Sequence, residues 1–159
     1  MDHTKVTEIA GMLQRAATRR TVVGYQRFHG MFSMNESIDY RYRVLEEAAK
    51  ALCDPTLLDY GCLMALANGL PGDDFFLRFK RLRPAEYAAV MGYSSSGRSN
   101  KKRRQIAEPE RSRIYEHAVL IEGCRAYRPA PGNAARSSTS ERGSCVWTQS
   151  GQMSHSPSP

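Results

Sequence analysis

The stretch "LLDYGCLMALANGLPGDDFFLRFKRL", Leu57 to Leu82, decides how this chain is read. Positions 58, 60, 62, 64 and 66 are Leu, Tyr, Cys, Met and Leu, with Asp59 and Gly61 between them. "NGLPGDD" is dense in turn formers, and "FFLRFKRL" resumes alternation, Phe75, Leu77 and Phe79 against Phe76, Arg78 and Lys80. A period of two marks a half-buried strand, and clustered Gly, Pro, Asn and Asp between two such runs mark a turn. The stretch therefore predicts a β-hairpin over 57–67 and 75–82.

Outward from this hairpin the period is helical. Val6, Ile9, Leu13, Ala16 and Ala17, with Ala10 beside them, predict a helix over 4–18, capped by Thr4 and followed by Arg19 and Arg20, where cations favour a helix C-terminus. Thr21 to Val23 are extended-prone, and Tyr25, Phe28 and Phe32 predict a short helix over 24–32. "IDYRYRVLEEAAKALCD" gives the third helix, with Asp39 as cap, Tyr40, Val44, Leu45, Ala48, Ala51 and Leu52 buried, and Asp54–Pro55 as stop. Pro84 opens a further short helix to Met91, with Tyr87 and Met91 inward.

Residues 1–92 thus read as an α+β, winged-helix-like domain of three helices, a β-hairpin and a short helix. A basic linker at 93–107 follows, then one further helix at 108–123 with Pro109 near its start and Ile114, Ala118 and Ile121 on one stripe. Residues 124–159 are rich in Ser, Gly, Pro and Arg with a lone Trp147, and predict a disordered tail.

Two segments carry resemblances. "RTVVGYQRF", residues 20–28, resembles the segment that opens the helix-turn-helix part of the alkyltransferase-like winged-helix domain. That family's Pro-Cys-His-Arg motif is absent, so alkyl transfer is not implied. "MALANGLPGDDFF", residues 64–76, is similar to a strand, G-x-PG and Phe-Phe pattern of small uncharacterised bacterial proteins. Both resemblances point to the winged-helix topology, in which the third helix enters the major groove and the hairpin forms the wing.

The charge supports an anionic partner. The 159 residues carry a net +7, yet residues 1–92 hold 12 Lys/Arg against 11 Asp/Glu and residues 93–159 hold 11 against 5. The excess belongs to the C-terminal part, above all to the run Lys101, Lys102, Arg103 and Arg104. A cationic arm gains affinity by releasing phosphate counterions. The expected interface is therefore Arg41, Arg43 and Lys50 on the third helix, Arg78, Lys80 and Arg81 on the second strand, with Arg83 just after, and Lys101 to Arg104 on the linker. Glu46, Glu47, Asp73 and Asp74 oppose phosphate binding at the helix and wing tip, and would suit a basic protein partner instead.

Catalysis has little to stand on. His3, His29, His117 and His155 are scattered, and no pair has metal-ligand spacing with a third ligand nearby. "PGDD" offers Asp73 and Asp74 to a cation, as a metal-dependent nuclease would require, but turns favour Asp for its own sake. Cys53, Cys62, Cys124 and Cys145 form no C-x-x-C pair; Cys53 and Cys62 lie in apolar segments and read as free thiols. The expectation is a cytoplasmic, non-enzymatic protein without cofactor or membrane span, binding nucleic acid and most of all duplex DNA, with an immunity- or antitoxin-like interaction module as the alternative.

Overall fold

The computed structural model describes residues 1–92 and 98–126. Helix α1, His3–Thr18, is capped by Asp2, whose carboxylate accepts from the Thr4 amide at 2.9 Å. Its buried face is Ile9, Ala10, Met12, Leu13, Ala16 and Ala17, which packs on Val44, Leu45, Ala48 and Ala49 of α3, Ile38–Leu52. Ser37 caps α3 by accepting from the Tyr40 amide, while Asp39 sits in the first turn, where a carboxylate favours the helix dipole. Between them α2 covers only Tyr25–His29 and stops at Gly30.

α1 ends in an unusual way. The Thr21 amide donates to the Ala16 carbonyl and the Arg20 amide to that of Ala17, the paired bonds of a Schellman motif. Its left-handed position, normally glycine, is Arg20 at φ 56°. The Arg20 guanidinium lies 5.3 Å from the centre of the Tyr115 ring, a cation–π contact that ties the turn to a distant helix.

The hairpin is not formed. Residues Tyr60–Leu63 make one 3₁₀ turn, Met64–Ala65 form the two-residue strand β2, and Asp73–Leu82 are helix α4. β2 pairs in parallel with β1, Val23–Gly24, in the register Val23 to Met64 and Gly24 to Ala65. The eight residues "FFLRFKRL" fit both periods, and the ends decide between them. Asp73 and Asp74 occupy the first turn and Lys80 and Arg81 the last, the charge order that a helix dipole rewards and a strand does not. Phe75, Phe76, Arg78 and Phe79 are buried together, whereas Leu77, assigned inward by alternation, is 68% exposed. Residues 58–65 are buried on every side, so Asp59 and Gly61 face no solvent.

α5, Pro84–Met91, starts at its proline as expected and buries Met91. α6 then runs from Asn100 to Ala126. It takes in most of the expected linker, so Lys101 to Arg104 stand in its first turns and not on a free arm. Pro109 lies inside it, on an exposed position. The missing amide bond and ring clash cost about 3 kcal/mol, which burial of Ile106 and Ala107 before it and Ile114 and Ala118 after it offsets. These residues join the same core as α1 and α3, and the compact unit extends over Met1–Gly123, past the boundary expected at Gly92. Residues 93–97 of the expected linker and 127–159 of the expected tail, with Cys145, Trp147 and His155, lie outside the described residues. Among the described residues no helix is long and apolar enough to cross a membrane.

Candidate nucleic-acid interface

Burial separates two groups among the described cations. Arg78 is 5% exposed and binds Asp59 through Nε at 2.6 Å and Nη2 at 3.3 Å. Burial works against its charge, but Asp59 outweighs it and holds the guanidinium above its usual pKa. Asp59 in turn donates its backbone amide to the buried Glu110 carboxylate at 2.9 Å, and Glu110 accepts from Arg83 at 2.7 Å. Arg83 also grips Glu86, and its guanidinium stands 4.4 Å from the Phe79 ring centre. Four elements are thereby joined through one buried ionic chain.

Most of the other expected contacts are also spent internally. Arg41 spans the loop before α3, donating to the carbonyls of Glu36 at 3.1 Å, Ser33 at 2.9 Å and His29 at 3.5 Å. Lys50 pairs with Glu47 at 2.9 Å and Glu46 at 3.4 Å, and Arg81 reaches the same Glu46 at 3.1 Å. Lys102 donates to the Met91 carbonyl at 2.9 Å, and Arg103 pairs with Asp73 at 2.7 Å while lying over the Phe76 ring. Lys80 is exposed above the Tyr87 ring. Of that set, Arg43, Lys80, Lys101 and Arg104 are exposed without an ion pair among the described residues. The set is therefore not one surface.

The acids are placed just as differently from one another. Asp73 faces Arg103, whereas Asp74 accepts from the Tyr25 hydroxyl at 2.6 Å, and that oxygen accepts from the Gly72 amide. Burial raises the Asp74 pKa above the usual carboxylate value, and its second oxygen is buried without a partner, as is Nδ1 of His29. The neighbours that the cation reading required to converge point apart. Among the described residues no group of three His, Cys, Asp or Glu is placed to hold a metal. Burial also pushes the Cys62 thiol well up, away from a nucleophilic thiolate.

A different set of cations is left outward. Arg15 and Arg19 stand one helical turn apart on α1 and are exposed, as is Arg27 on α2. All three line a narrow cleft of about 50 Å³ walled by Thr21, Val22 and Val23, and none makes an ion pair among the described residues. Arg15 also borders a second, wider groove of about 500 Å³ along α1. Its guanidinium lies back over Gly11, where an added Cβ would sit 3.2 Å from Nη1. In that groove Lys5 is already neutralised by Glu8 at 3.1 Å and donates to the Met31 carbonyl.

The sequence held a signal for this surface. Arg15 and Arg19 share a face at i, i+4 with no acid at i±3 or i±4 to pair with either, unlike Lys5 with Glu8 or Lys50 with Glu46. Their place at a helix C-terminus accounts for two cations there, but Arg27 comes from another helix and that argument does not reach it. No family model, curated protein or solved structure matches the chain.

Proposed function

We propose that this protein binds nucleic acid, with DNA as the first candidate, through the phosphate backbone and by way of the outer face of α1 and α2. The observation that carries the reading is the cleft lined by Arg15, Arg19 and Arg27, none of which is paired with a carboxylate among the described residues. Like charges held together in a folded surface repel one another unless an anion is shared between them, and arginine's planar fork matches phosphate oxygens in pairs. Exposed Lys101 and Arg104 add charge to the same protein. In a winged-helix protein α3 would read bases, but here α3 and α4 put Glu46, Glu47, Lys50 and Arg81 into one self-neutralised set. Backbone contacts position a protein without reading sequence, so the expected binding is sequence-independent.

The test is fluorescence anisotropy with labelled duplex at several salt concentrations. The double variant Arg19→Glu, Arg27→Glu should lose affinity at least tenfold, and its log K against log salt should flatten by roughly 0.9 for each phosphate contact removed. An unchanged affinity in that variant, with loss in Lys101→Glu, Arg104→Glu, would move the interface to α6. Absence of binding to duplex and single strands by the whole chain would end the reading.

A further inference from the structure

We propose that the narrow arginine cleft takes a terminal phosphate monoester, with the attached nucleoside lying in the wider groove beside it. The inference rests on the nucleic-acid reading above and names the part of the nucleic acid that the cleft holds. Three observations lead to it. The first is size. At about 50 Å³ the cleft is far smaller than the groove beside it, a size that suits a tetrahedral oxyanion better than a sugar or base.

The second is charge. An internal phosphodiester carries one negative charge, whereas a terminal monoester carries between one and two near neutral pH, with a second pKa of about 6. Arg19 and Arg27 line this cleft and Arg15 forms its shared wall with the next one, so the local cationic charge exceeds what a single phosphodiester neutralises.

The third is the neighbouring groove. At about 500 Å³ it is an order of magnitude larger, and apart from the shared Arg15 its charges cancel, because Lys5 is paired with Glu8. A neutral nucleoside suits such a groove; a second phosphate does not. Gly11 keeps the α1 side of it open, since any side chain there would press on the Arg15 guanidinium, and Met31 supplies a soft apolar contact on the other side. Arg15 stands between the two compartments and can hydrogen-bond the phosphate at their junction.

The shared chemistry is a nucleoside monophosphate end, whose source is either a free mononucleotide or the end of a strand. The experiment compares a labelled single strand bearing a terminal phosphate, at either end, with the same strand ending in hydroxyls, and uses a nucleoside monophosphate as competitor. Binding should be roughly tenfold tighter for one phosphorylated end, as a charge-assisted contact implies, and Arg19→Ala and Arg27→Ala should each erase that preference while thermal melting stays unchanged. Equal affinity for phosphate and hydroxyl ends, lowered equally by both variants, overturns the terminal-phosphate proposal and leaves backbone binding standing. A mononucleotide bound as tightly as the strand supports the cleft's chemistry and overturns the nucleic-acid reading. If no strand and no mononucleotide binds, both fall.

Discussion

Arg78 in α4 and Arg19 at the C-terminal end of α1 are the same residue type, and the protein uses them in opposite ways. Arg78 is enclosed with Asp59 and belongs to a chain of charges that continues through Glu110 and Arg83 into the core. Arg19 lies on the surface with Arg15 and Arg27 and makes no ion pair among the described residues. Tallying cations along the sequence gives both the same weight. What separates them is the partner: an inward arginine has its carboxylate in the fold, and an outward one must find an anion elsewhere.

The largest effect that would test this division comes from Asp59→Ala. It strands the Arg78 guanidinium in the core and removes the acceptor of the Gly61 amide. Breaking a buried pair by removing one partner costs about 3–5 kcal/mol, so urea unfolding should show the chain largely destabilised. A loss below about 1 kcal/mol would class Arg78 with the surface cations and break the comparison. Arg41→Ala comes next. Three carbonyls lose a shared donor, and a loss of about 1–3 kcal/mol is expected, without a change in DNA affinity. Reduced affinity in a folded Arg41→Ala protein would return α3 to the interface.

Arg20→Gly probes a cation that belongs to neither group. Glycine relieves the left-handed strain of about 1 kcal/mol or more but forfeits the Tyr115 contact and loosens the unfolded chain, each of comparable size. Thermal melting should therefore shift little. Arg19→Ala with Arg27→Ala should be the smallest of all, within about 0.5 kcal/mol of the parent in stability, while affinity for DNA falls. A destabilisation above about 1 kcal/mol would mean that these arginines also serve the fold, and the two groups would merge.

How far the sequence could be read follows the same division. α1 and α3 were legible because apolar residues at helical spacing report burial, although Ala51 of α3 is exposed, and α5 was legible from Pro84 at its start. α4 was not, because Phe75, Leu77 and Phe79 alternate as a strand would, and only Asp73–Asp74 and Lys80–Arg81 at its two ends argued for a helix. The reach of α6 was hidden by Pro109 and by a first turn made of cations. The inward role of Arg78 and Arg83 was out of range altogether. Their partners Asp59 and Glu110 lie 19 and 27 positions away, and no local pattern pairs residues at that separation. Of the expected interface, Arg43, Lys80, Lys101 and Arg104 are outward without an ion pair among the described residues, while Arg15 and Arg27 lie outside that expectation and Arg19 enters it only as a helix-end cation.

Arg111 of α6 donates to the carbonyls of Cys62, Met64 and Gly69, at 2.8, 3.0 and 2.8 Å. Those carbonyls belong to the 3₁₀ turn, the short strand and the loop after it, an otherwise irregular passage through the protein. The fork closes only after the ribosome has released residues nearly fifty positions further on, and contacts over such separations slow the closing step. A nascent chain halted after Gly92 would expose the turn and the Phe-rich helix next to it, the kind of apolar surface that chaperones hold and that aggregates form around. Completion of that irregular passage is thus timed by α6.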